Sequence, residues 1–421
     1  SWATGANITV AGWMGTYGGG IPGTTKLIVG TTGNVLLAAQ LAKIQFVDAN
    51  GAYWTAQTLA TGEVIPSTLA SGNTFYAIAS GNWNVNTTWS FMPGGAAVAS
   101  GVFPTLSKNV VISGYTVTLT AAAACNNITL GSAACGLTMA TNNLTVFGNA
   151  NIVTVCPTIS TTGGTIIFDG TNNSSQTITS SCATPSLGNV TLINGANIIS
   201  TNGSITNISV ANFTNASGSS SWINNGSTTL TVTGALAASS CSFISNGASS
   251  YDFSGATNSP ITVGGLTSNS SGTINLGSKN ITISNLFSYT TGTLTSTGII
   301  SMSANSTVTA KNVLTIANLQ LGSSGISSTG GGALTVTTFD FNGQTSFLQT
   351  AGSISTGTIN NNTGPISISY SGAPTFIYSG SGVIPSGNYY NLTTTTNTKS
   401  VTCSSTITID GVLTNSSGTI V

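Results

Sequence analysis

The side chains of this chain that could move protons are few. They are five aspartates, one glutamate and six lysines, with no histidine and no arginine. Asp48, Glu63, Asp169, Asp252, Asp340 and Asp410 are therefore the groups available as general acid, general base or carboxylate nucleophile. Carboxylate-pair chemistry of the glycoside-hydrolysing kind needs two carboxyl groups roughly 5–9.5 Å apart. On the coiled scaffold derived below, successive members of Asp169, Asp252, Asp340 and Asp410 lie three to four coils apart, or about 15–20 Å along the axis. They are expected not to pair. In Phe168-Asp-Gly and Ile409-Asp-Gly the aspartate is expected to shape a turn, bonding its own backbone while glycine takes φ > 0. Asp48 and Glu63 are the acids closest in sequence, and a surface or turn role is expected for them. Nucleophilic catalysis by Ser, Thr or Cys has no histidine base to call on. The residue types thus predict a protein that is not an enzyme and has no catalytic residues.

Metal and cofactor chemistry lacks its signatures as well. The six cysteines, at 125, 135, 156, 182, 241 and 403, contain no C-x2-C pair, the spacing zinc sites use. No Asp-bearing calcium nonapeptide recurs, and the runs Tyr17-Gly-Gly-Gly and Gly330-Gly-Gly lack the Lys-Ser/Thr of a phosphate cradle. No metal and no cofactor is expected. The cysteines read better as disulfide staples, because stacked coils bring Cα atoms within bonding range. Cys125–Cys135 closing a half-coil and Cys156–Cys182 joining neighbouring coils is the favoured pairing, with Cys135–Cys156 as a competitor. Cys241 and Cys403 are separated by near eight coils, too far along one rod to bond. They are expected as buried free thiols or an inter-subunit bridge.

The elements that carry these residues follow from composition and period. Charged residues make up 3% of the chain and hydrophobic ones 40%, against about 25% charged in ordinary soluble domains. This much apolar surface orders the chain despite its Gly/Ser/Thr richness. The absence of any Lys/Arg cluster argues against nucleic acid and anionic membranes as partners. The longest apolar stretch, residues 35–47, is too short to span a bilayer and is expected as a core strand or short helix. No charged n-region and apolar h-region open the chain, so Ser1 is expected to follow a removed leader or to lie within a larger precursor.

Three regions are expected. Residues 1–23 read as an extended N-terminal arm with a Gly-rich hinge, 24–95 as a small β-rich cap with its own core, and 96–421 as a parallel β-helix (solenoid), an all-β fold. In the last region short strands start at Leu144, Thr165, Val190, Ile208, Leu230, Tyr251, Ile274, Leu294, Leu314, Leu334, Ile354 and Phe376, at nearly regular intervals. That period, centred on roughly 21, fits one β-helix coil of three short strands. It predicts about fifteen rungs and a rod on the order of 70 Å. Tandem sandwiches are the competing fold, disfavoured by the short strands and sparse aromatics.

Gly81-Asn-Trp, Thr88-Trp-Ser, Pro104 and Asn109-Val-Val-Ile-Ser-Gly-Tyr-Thr-Val-Thr-Leu together resemble a segment of large secreted bacterial β-helix surface proteins of the adhesin type, over about residues 81–120. The resemblance implies a secreted, surface-associated β-helix and no enzymatic activity. Asn-x-Ser/Thr sites are abundant, but composition alone nearly accounts for them. The functional expectation is a structural subunit of an extracellular filament, sheath or surface layer at the cell surface. It would assemble with itself, head to tail, by β-strand addition between a C-terminal rung at residues 406–421 and an arm bearing Trp2, Ile8, Val10 and Trp13; the competing reading is that residues 1–16 fold back on their own cap. The alternative is a cell-surface adhesin or glycan-binding module, with surface glycans as partner.

Overall fold

The computed structural model describes residues 8–11, 27–29, 36–41, 43–47, 53–66, 73–91, 93–95, 97–98, 100–131, 134–153, 156–172, 175–200, 205–303, 307–310, 314–321, 327–329, 332–340, 346–349, 352–360, 367–380, 382–384, 387–395, 399–400 and 406–416. The chain is all-β, a parallel β-solenoid of stacked coils preceded by a small β-rich unit.

The N-terminal unit is a four-stranded sheet in the order Ile8–Ala11, Ile44–Val47, Tyr53–Thr58, Val64–Pro66. The apolar stretch 35–47 divides, with Ala38–Leu41 forming one helical turn before the strand Ile44–Val47. Leu36, Ile44, Phe46, Trp54 and Val64 make a core of their own, joined by partly buried Val10. Phe91 packs against both this core and that of the solenoid.

Two expectations change here. The strand Ile8–Ala11 is not an extended arm, since it pairs in parallel with Ile44–Val47 of its own chain. Val10 has apolar neighbours to bury against, and burial outweighs projection into water. The solenoid also begins earlier than residue 96. Thr74–Ala77 is in register with Asn109–Ile112, and Trp83 and Trp89 lie in the solenoid core with ring centroids 5.3 Å apart.

Each coil has three faces. On the first, Asn109–Ile112, Ile128–Leu130, Ala150–Ile152, Ser175–Ser180 and Asn197–Ser200 stack in sequence. On the second, Ala123–Cys125, Leu144–Val146 and Thr165–Asp169 lead into Ser186–Ile193. Thr116–Thr118, Gly136–Ala140 and Thr158–Thr161 build the third. In mid-rod the faces fuse, and Ile261–Gly277 and Ile281–Ser296 run around the corners as continuous strands of 17 and 16 residues. On the first face, among the described residues, fifteen strands stack in one register chain from Asn109–Ile112 to Ile407–Ile409, the number the period predicts. Coils vary in length about that period: Ala150 pairs with Ile178 and Ile198 with Trp222, so the first of these coils carries extra residues that the second lacks. At the 4.8 Å strand spacing this stack is about 70 Å long.

Inward positions alternate with outward ones as strand geometry demands, giving a core file such as Trp222, Phe243, Leu266, Phe287 on one face. Polar ladders hold the corners. Asn127 donates its side-chain amide to Asn109 Oδ1 at 2.8 Å and accepts from the Asn149 backbone N–H at 2.6 Å, and Asn149 accepts from Thr177 N–H at 2.8 Å. Inside the rod, buried Asn224 accepts from the Trp222 indole and the Ser200 hydroxyl, both at 2.9 Å, and donates to the Ser250 carbonyl. The polar groups of this cluster are thereby matched within the stack.

Candidate functional site

The carboxylates do structural work. Asp169 Oδ1 accepts from the Thr171 N–H at 2.9 Å, the Thr171 hydroxyl at 2.6 Å and the Asn194 amide at 3.0 Å in the next coil. Asp252 repeats the arrangement with Ser254 and Asn275. Burial tends to raise the Asp169 pKa, but the hydrogen bonds from Thr171 and Asn194 outweigh it and hold the carboxyl below its ordinary value. The turn reading of Asp169 thus has a geometric basis, with one change to the role of glycine. Gly170 is needed because a Cβ would lie 2.5 Å from the Asn194 carbonyl oxygen, and Gly411 because it would lie 2.5 Å from Asn391 Oδ1, not because either has φ > 0. Asp410 accepts a short hydrogen bond from the Tyr370 hydroxyl, which raises the tyrosine pKa. Asp340 accepts from the Gln320 amide at 3.3 Å. Glu63 is buried in the N-terminal unit, while Asp48 lies outside the described residues. No cluster of three or more His, Cys, Asp or Glu able to hold a metal occurs among the described residues.

Cys156 and Cys182 form a disulfide with Cα atoms 5.1 Å apart. It sits just beyond the paired strands Ala150–Ile152 and Ser175–Ser180, and so staples a long coil. The other favoured pair, Cys125–Cys135, does not form. Both are free thiols, as is Cys241. Cys125 points into the core from the strand Ala123–Cys125, in register with Val146, whereas Cys135 precedes a different face at Gly136. Burial pushes the thiol pKa of Cys125 and Cys241 far up. Cys403 lies outside the described residues.

Two strand edges occur among the described residues. The last described coil comprises Ile407–Ile409 and Leu413–Asn415, in register with Gly387–Tyr389 and Asn391–Thr394. Its backbone donates inward, Asp410 N–H to the Tyr389 carbonyl at 3.0 Å and Gly411 N–H to that of Tyr390 at 2.8 Å. Leu413 continues the file of Phe376 and Leu392, each 1% exposed, yet is itself 50% exposed, and neighbouring Val412 is 59% exposed. The second edge is Ile8–Ala11, first in the order of its sheet and, among the described residues, paired on one side. Of the residues expected to carry assembly, Ile8 is 43% exposed on that strand and Val10 is partly buried, while Trp2 and Trp13 lie outside the described residues.

Among the described residues no helix is long and apolar enough to cross a membrane. Comparison with protein-family models, curated proteins and solved structures finds no match for this chain.

Proposed function

We propose that the chain is a structural subunit of an extracellular filament, sheath or surface layer. Copies would join head to tail by strand addition, a strand of one subunit pairing with the outer edge of Ile8–Ala11 of the next. The carrying observation is Ile8–Ala11 itself, which among the described residues pairs on one side alone, with Ile44–Val47, and leaves Ile8 43% exposed. A further strand laid on this edge would cover Ile8 and pair the outward backbone groups. A contact between this edge and a different part of the neighbouring subunit is heterologous and repeats without closing. The Cys156–Cys182 disulfide supports an oxidising, extracellular setting, and the scarcity of charge suits a surface covered by neighbouring copies.

Electron microscopy and sedimentation of the purified chain test the reading. Wild type is expected to form filaments, and Ile8→Asp, which places a charge at the joint, is expected to sediment as a folded monomer. Deleting residues 1–16 should have the same effect. Wild-type protein that stays monomeric, or Ile8→Asp protein that assembles as wild type does, would sink the proposal.

A further inference from the structure

The first coils of the solenoid carry a solvent-open groove of about 250 Å³, lined by Trp83, Asn84, Phe103, Leu106, Thr120 and alanines 121–124. This is slightly below the roughly 300–1,000 Å³ of ligand pockets and suits a ligand of one or two rings lying partly in solvent. Its wall is fixed from beneath. Trp83 is 3% exposed, its backbone N–H donates to the Thr118 carbonyl at 2.9 Å, and its indole N–H donates to the Pro104 carbonyl at 3.2 Å. The segment bearing Phe103 and Leu106 is thereby tied to the coil.

Phe103 is 37% and Leu106 51% exposed, although an apolar floor lies close by. The reason is the alanine run, whose methyl groups are too short to fill the space. On the rim, the Thr120 hydroxyl donates to Asn84 Oδ1 at 3.1 Å. This bond orients the amide and leaves Asn84 Nδ2 without a partner among the described residues. No lining side chain is charged, so an ionic ligand would lose hydration without finding a counter-charge. The groove thus offers an electron-rich ring face, a methyl floor, and amide and hydroxyl groups on one side. A molecule with one apolar C–H face and a rim of hydroxyls matches all three.

We propose that this groove binds a neutral saccharide of one or two pyranose rings, with a C–H face on the Phe103 ring and ring hydroxyls on Asn84 Nδ2 and the Thr120 hydroxyl. The site is independent of the assembly reading, since a chain that never forms filaments would still carry it. Calorimetric titration of the full chain with maltose, cellobiose and chitobiose, and with a uronic-acid disaccharide as the charged comparison, tests the assignment. At least one neutral disaccharide is expected to bind saturably and more tightly than the charged one. Ala122→Trp, which fills the groove from an exposed position, should abolish binding, and Phe103→Ala should weaken it by about tenfold. Both variants should keep the wild-type circular dichroism. Should Ala122→Trp fail to fold, Phe103→Ala decides alone. Absence of binding by every neutral sugar, tighter binding of the charged one, or unchanged affinity in the folded variants would overturn the proposal.

Discussion

Single residues in this chain act mainly through hydrogen bonds to the coil above or below. Asp169 shows the consequence for pH. Its folded pKa is lowered, so its stabilising contribution is whole above the ordinary carboxylate value of 3.8 and is lost as pH falls through the lowered one. Thermal unfolding followed from about pH 5 to pH 2 should therefore show a steeper drop for wild type than for Asp169→Asn. A shallower or equal drop would mean that the Thr171 and Asn194 bonds add nothing. Cys125 and Cys241 are fully buried with thiol pKa values raised by burial. They should resist a thiol reagent in native protein and react only after denaturation. Labelling at native pH without loss of structure would contradict their placement. The turn role of Asp169 was legible from Asp-Gly, but the reason for its glycine was not, because close approach of another coil is invisible along one strand.

At the scale of elements, the coil is the unit and its length is the variable. The disulfide spans 26 residues and closes a long coil, so reducing it should cost about 2–4 kcal/mol in denaturant unfolding, by releasing the chain entropy it restricts. Corner glycines separate two effects. Gly218 has φ +74°, and a Cβ there would lie 2.6 Å from Gly195 N; Gly101 has φ +79° with open space around it. Gly101→Ala should cost about 1 kcal/mol for its backbone alone, and Gly218→Ala should cost more by about 1–2 kcal/mol. Equal losses would show that coil-to-coil approach is not limiting. The repeat was readable as spacing, and most of the strands named from it do pair in register: Leu144 with Ile166, Leu230 with Tyr251, Leu314 with Leu334 and on to Ile354 and Phe376. Between Val190 and Ile208 the spacing misleads by one face, since Val190 pairs with Phe213. All three faces use the same Φ-x-Φ pattern, so period alone cannot say which one a strand belongs to.

For the whole molecule, backbone pairing and apolar burial do the work that ionic contacts do elsewhere. Six acidic and six basic side chains in 421 residues leave little for salt to screen. The assembly proposed above should accordingly change little between about 0.05 and 1 M NaCl, as read by light scattering. A strong salt dependence would point to an ionic joint. Composition and spacing by themselves determined the fold class. The alternation of Val, Ile and Leu with Ser, Thr and Asn at a period near 21 selects a β-solenoid, because side-chain direction in a strand is fixed by local geometry. Tertiary structure alone decided which cysteines meet, where the solenoid begins, that Ile8–Ala11 returns to its own sheet, and that the alanine run opens a groove beside Phe103. Each of these depends on register between residues far apart in the chain, and register is set by how successive coils fit one another, not by the local pattern of any one strand.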